Sequence, residues 1–160
     1  DESVQQNLQP DAITFGATIR AAEKCLQWQR AIELLGAACE AGVEPGVIAC
    51  SSAITAAEKC QQWEVALALF DTLQEPDLIA CNAAISALQK AGRWEMALDL
   101  FFYVRGAARQ RPRLRPNLVT YSAAISACAS GEQWEMALSL LSDLRAGSQE
   151  PDAAATGAAM

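Results

Sequence analysis

Six cysteines are the residues best suited to chemistry in this 160-residue chain: Cys25, Cys39, Cys50, Cys60, Cys81 and Cys128. Thiols in such number serve as metal ligands or as disulfides. Zinc sites need ligands in close pairs such as C-x-x-C, or cysteine combined with histidine. No C-x-x-C occurs, and the chain contains no histidine. Cys50 and Cys81 instead share a position with Phe15 and Tyr121 in a recurring segment, which marks a packing slot. Cys25 and Cys60 both close a first helix. All six are therefore expected to be reduced, small core residues, in keeping with a reducing compartment. Neither a metal nor a cofactor is expected.

The second chemical candidate is cationic. The net charge of −7, from 12 basic and 19 acidic residues, argues against binding polyanions over the whole surface. Five of those basic residues nevertheless crowd into one loop: Arg105, Arg109, Arg111, Arg113 and Arg115. Such a strip offers phosphate a non-specific contact that fades with salt. The plainer reading is a flexible, solvent-exposed link. With no histidine, metal cluster or Gly-rich phosphate loop, the chain is not expected to be an enzyme, and no small-molecule substrate is implied.

The elements that would position these groups are set by proline and tryptophan. Pro10, Pro45, Pro76, Pro116 and Pro151 lie 35, 31, 40 and 35 residues apart, and Trp28, Trp63, Trp94 and Trp134 lie 35, 31 and 40 apart. Each tryptophan follows the preceding proline by 18 residues. A period in this range, with all length variation confined to one part of the unit, marks a helical solenoid. The fold class expected is all-α.

The unit reads most clearly in EPDLIACNAAISALQKAGRWEMALDLF, from Glu75 to Phe101. Pro76-Asp77 opens it, Ile79, Cys81, Ile85 and Leu88 give one apolar stripe, Gly92 breaks the pattern, and Trp94, Ala97, Leu98 and Phe101 give a second stripe. Four units are expected at residues 12–46, 47–77 (short), 78–117 (long, with an Arg-rich link) and 118–152. Residues 1–11 are read as the tail of a preceding unit or a tether, and residues 153–160 as the truncated start of a fifth. In the first unit the helices should cover about Thr14 to Cys25 and Trp28 to Ala41, the second carrying Ile32, Leu35 and Cys39. Ala31, Ala66, Ala97 and Ala137, three residues after each tryptophan, let helices approach closely, and the tryptophans are read as core wedges. No apolar run of about 18 residues is present to span a membrane. DESVQQNLQ lacks the basic start and apolar centre of a signal peptide. The missing initial Met and the end in mid-helix are those expected of an excerpt.

These strings resemble the pentatricopeptide repeat family across nearly the whole chain. The fullest matches are PDLIACNAAISALQKAGRWEMALDLF and PNLVTYSAAISACASGEQWEMALSLL, with weaker ones in DAITFGATIRAAEKCLQWQRAIELL and GVIACSSAITAAEKCQQWEVALALF. Tetratricopeptide repeats share A-x3-F and the closing proline, but their W-x2-L-G-x2-Y is missing. The resemblance implies a right-handed α-solenoid whose first helices line a groove for single-stranded RNA, one nucleotide per repeat. It implies that the fifth and last residues of each unit choose the base: Gly16 with Gly46, Ser51 with Asp77, Asn82 with Asn117, and Ser122 with Asp152. The implied preference, from the 5′ end, is any base, G, a pyrimidine, G. The second residues, Ile13, Ile48, Ile79 and Val119, would sandwich bases, with Ala154 a poor wedge in the fifth unit. Lys24, Lys59 and Lys90 would face phosphates, while the fourth unit departs with Ser130. Organelle RNA processing, stability, editing or translation follows as the setting, with a chloroplast or mitochondrial location and a monomeric chain. Weak binding is expected from four units alone.

Plainer readings stand beside these roles. Ser51, Ser122 and Asn82 could be helix-start caps, with Asp77, Asn117 and Asp152 as turn residues after proline. The lysines could be solvated partners of Glu23 and Glu58. A solenoid that takes a peptide or partner helix in its groove is the alternative function, favoured by the acidic charge.

Overall fold

The computed structural model describes residues 11–149. In three of the four units the side chain of the residue after the proline caps the first helix, while Gly46 of the second unit makes no such bond. Asp11, Asp77 and Asn117 accept hydrogen bonds from the backbone N–H groups of Thr14, Ala80 and Thr120 at 2.9, 2.8 and 3.1 Å, filling donors that a helix start leaves orphaned. Hydrogen bonds from the Thr14 backbone and hydroxyl also hold the Asp11 carboxyl below its usual range. The first helices α1 (Ala12–Lys24), α3 (Val47–Lys59), α5 (Leu78–Lys90) and α7 (Leu118–Ser130) are each 13 residues long. The first starts two residues before the expected Thr14 because Asp11, not a later residue, is its cap.

Each first helix ends in the same turn. Leu26, Gln61, Gly92 and Glu132, always two residues before the tryptophan, take φ values of 57, 60, 74 and 54°. Only the glycine adopts this left-handed conformation without a steric cost. Leu26 is half exposed there, so Leu26→Gly is expected to stabilise the fold by about 1 kcal/mol, read as a higher urea midpoint. An unchanged midpoint would mean that the leucine side chain packs well enough to offset its backbone strain.

The second helices absorb the variation in unit length. α2 (Trp28–Glu40), α4 (Trp63–Thr72), α6 (Trp94–Ala107) and α8 (Trp134–Gln149) have 13, 10, 14 and 16 residues. In the short unit the chain leaves α4 in extended conformation at Leu73. In the long unit the added residues extend α6 and form a 3-10 turn at Pro112–Leu114. Leu114 of that turn is 2% exposed and joins the main core, so the arginine segment is an anchored link, not the flexible one expected. Arg105 lies outside it, in α6, paired with Asp143 of α8 at 3.0 Å.

Successive first helices pack side by side, each second helix packs on its own first helix, and α2, α4 and α6 also pack on the first helix of the next unit. The second helices make little contact with one another, which makes the first-helix layer the inner, closer-spaced one. Ala31, Ala66 and Ala97 are fully buried, as their small size requires. In α2 the buried stripe is Ala31, Leu35 and Ala38, leaving Ile32 half-buried and Cys39 exposed. No helix among the described residues is long and apolar enough to cross a membrane.

Two expectations need correction. The tryptophans wedge at the edge of the core, not in its interior: Trp28, Trp63 and Trp94 are half-buried and pack against the main core. They work between units. The Trp94 ring lies so close to Gly131 of the following turn that an added Cβ would sit 2.3 Å from it. Trp63 lies under the Arg93 guanidinium, 5.0 Å from its ring centroid, a cation–π contact with the next unit's turn. Glycine at 131 therefore serves close approach, since the left-handed residue of that turn is Glu132. The cysteines are not uniformly core either. Cys81 and Cys128 are buried, but Cys25 and Cys39 are exposed. Burial, with a smaller contribution from the charge of Asp77, pushes the Cys81 thiol up to about 12, so it stays a protonated packing group. All six are free thiols.

Candidate nucleic-acid interface

The inner layer carries a row of residues that the core does not use. Ile13, Ile48, Ile79 and Val119, the second residues of the four first helices, are 81, 63, 63 and 58% exposed. β-Branched side chains are stiff, and their repetition at one register on adjacent helices makes an ordered apolar strip in water.

Between the members of this row lie the polar pairs. The Ser51 hydroxyl is 2.8 Å from both Asp77 Oδ1 and the Val47 carbonyl oxygen, and has one proton for the two acceptors. Ser51 itself is 2% exposed, whereas Asp77 is half-buried. The reachable group of this pair is thus a carboxylate, steered by a buried hydroxyl. Asn82 Nδ2 donates to Asn117 Oδ1 at 3.3 Å, and Asn82 Oδ1 accepts from the Thr120 hydroxyl at 2.6 Å. Neither Ser51 nor Asn82 caps a helix; each is the fifth residue of one, while Asp77 and Asn117 cap the next. Each pair therefore joins one unit to its successor. Gly16 and Gly46 contribute only space, with nothing within 4 Å of an added Cβ. Ser122 is exposed, and its companion Asp152, like Ala154, lies outside the described residues.

The lysines follow a second inter-unit pattern. Lys59 pairs with Glu23 of the preceding unit at 3.1 Å. Lys90 pairs with Glu58 of the preceding unit, and the buried Glu58 also accepts from the Ser86 hydroxyl at 2.9 Å. Lys24 is exposed, and Ser130 turns its hydroxyl back to the Ser126 carbonyl. A phosphate would thus meet lysines already partly compensated. Both remain nearly half exposed, where an ion pair is worth little. Arg111 approaches Glu75 at 3.8 Å, and Arg109, Arg113 and Arg115 are exposed.

Thr120 escaped sequence reading, and Glu58, read there as a solvated lysine partner, is buried instead. A capping box at Asn117 and Thr120 was the available signal for the first. Nothing local identifies a buried glutamate whose partners come from the next helix. Among the described residues, no group of three or more His, Cys, Asp or Glu side chains is placed to hold a metal.

The family model described as pentatricopeptide repeat domain matches residues 69–131, and that described as PPR repeat matches residues 119–146. No curated protein sequence matches the chain. Among solved structures, the crystal structure of the pentatricopeptide repeat protein PPR10 from maize is similar, with a TM-score of 0.62 and 19% identity, over 87% of this chain and 20% of that one. The chain spans about a fifth of that protein's length, and at this identity the likeness is one of fold.

Proposed function

We propose, from the premise that this chain belongs to the pentatricopeptide repeat family, that its units form a single-stranded RNA-binding module holding one nucleotide per repeat. The exposed β-branched row carries the reading. Ile13, Ile48, Ile79 and Val119 offer planar bases an apolar wedge on either side, and the polar pairs stand between the wedges to meet base edges. The carboxylate of Asp77 is acceptor-only, which suits the two donors of guanine's Watson–Crick edge. The Asn82–Asn117 pair suits a pyrimidine, and the first unit, with two glycines, accepts any base. The proposed readout from the 5′ end is any base, G, pyrimidine, G. Action is by occupancy, in organelle RNA processing, stability, editing or translation.

Affinity should be modest. Stacked bases contribute about 1–3 kcal/mol each, the cost of ordering the strand is subtracted, and a net charge of −7 opposes it. The acidic charge is also the observation that favours a second reading, a groove for a basic peptide or helix. A low-salt titration with fluorescent RNAs separates the two. One RNA carries a G-pyrimidine-G core and the other has both guanines changed to adenine. The expected result is preference for the first, lost in the Ser51→Ala, Asn82→Ala double variant. Equal weak binding would leave only electrostatics through the Arg109 to Arg115 segment. Failure to bind either RNA, with the helices shown folded by circular dichroism, would favour the peptide groove.

A further inference from the structure

The two described polar pairs differ in what stands behind them. At the Ser51–Asp77 pair, the third residue of the following helix is Ala80, which has no hydroxyl. At the Asn82–Asn117 pair it is Thr120, which is fully buried. Two backbone N–H groups set the polarity of the circuit this threonine closes. The Thr120 N–H donates to Asn117 Oδ1 at 3.1 Å, so the Asn117 carbonyl must face inward. Asn82 can meet that oxygen only with its NH2 group, as it does at 3.3 Å. The Asn117 N–H donates to the Thr120 hydroxyl oxygen at 3.1 Å, which leaves the hydroxyl proton to be given away. It goes to Asn82 Oδ1, the nearer acceptor at 2.6 Å against 3.0 Å for Asn117 Oδ1. The carbonyl of Asn82 is thereby turned toward a buried group, and its NH2 remains on the exposed side.

We propose that Thr120 is a specificity-determining positioning residue, which locks the Asn82 amide so that a hydrogen-bond donor faces the nucleotide of the third unit. This inference rests on the base-reading function proposed above. An asparagine free to turn over presents either a donor or an acceptor and discriminates poorly. Locked by Thr120, it presents its remaining N–H to bases that place an acceptor there. The O2 carbonyl is such an acceptor and is common to cytosine and uracil, so the lock accounts for a pyrimidine preference that does not separate the two.

The test uses four RNAs that differ only in the base between the two guanines, titrated against the wild type, Thr120→Val and Thr120→Ser. Valine keeps the shape and deletes the hydroxyl, leaving Asn82 Oδ1 without its donor; serine restores the hydroxyl. The expected result is that Thr120→Val loses about two- to tenfold of its discrimination between pyrimidine and purine at this position, the scale of one hydrogen bond. Discrimination at the flanking guanines, read with the adenine-substituted RNA of the first titration, should stay unchanged, and Thr120→Ser should behave as wild type. Undiminished pyrimidine preference in a folded Thr120→Val protein overturns the lock while leaving the base-reading function standing. A wild type that binds all four RNAs equally overturns the lock together with the pyrimidine readout of the third unit, while the base-reading function fails only if the adenine-substituted RNA also binds as well as the guanine one. Should Thr120→Val fail to fold, Asn82→Asp serves instead. It keeps the Thr120 bond but turns the outward donor into an acceptor, so a retained pyrimidine preference overturns the proposal.

Discussion

Phe101→Ala is expected to cost about 3–5 kcal/mol, the range for emptying a buried aromatic site, and to split the unfolding transition in two. Phe101 is completely buried, although it lies on a second helix. Its ring meets Tyr121 of the next unit edge-on, with centroids 5.2 Å apart and planes at 69°, and meets Phe102 in the same manner at 5.4 Å. Such geometry contributes about 0.5–1.5 kcal/mol per pair beyond burial. The loss would be concentrated at the junction between the third and fourth units. A solenoid is held together by nearest-neighbour interfaces, and a domain's whole stability is commonly about 5–15 kcal/mol. A weakened junction should therefore let the fourth unit open before the rest. Urea unfolding followed by circular dichroism and tryptophan emission should give non-coincident curves for the variant and coincident ones for the wild type. A single transition shifted by less than about 1 kcal/mol would show that neighbouring side chains refill the site, and that this junction is not the weak one.

Ile48→Ala combined with Ile79→Ala is expected to weaken RNA binding by about 30- to 100-fold without lowering the melting temperature. The two side chains are each 63% exposed, so the fold gains little from them. A base seated between them would bury several methyl and methylene groups. At about 0.8 kcal/mol per buried carbon, partial burial of the two side chains amounts to about 2–3 kcal/mol, with 1.4 kcal/mol per tenfold. Tyr103→Ala is the matched control, because Tyr103 is comparably exposed but lies on a second helix. Equal loss from the control would reduce the effect to general surface hydrophobicity and remove the row's special role. A fall in melting temperature for the isoleucine double variant would return both residues to the packing of the inner layer.

The separation of these two effects shows which features were readable in one dimension. Helix pairs and their order depend on neighbours within a few positions. The proline before Asp77 or Asn117, the cap itself and the apolar stripe at 3.6-residue spacing are all local, so the sequence alone determines them. The constant interval from proline to tryptophan likewise fixes the first helix at one length, and it leaves the second helix and its link to vary.

What the chain does between units needed the tertiary structure. Ser51 looks in sequence like any cap or surface hydroxyl; it is buried because Asp77, 26 residues on, returns to accept its proton. Lys90 stands beside Gln89 in the chain, yet its partner is Glu58 of the unit before. Trp94 carries the same stripe pattern as an interior residue, but its ring closes over Gly131 of the unit after. The arginine segment has the composition of a free linker and is tied down by the single leucine within it. These contacts are set by the rise and rotation from one unit to the next, a quantity summed over every interface in the stack. No stretch of residues within a single repeat encodes it.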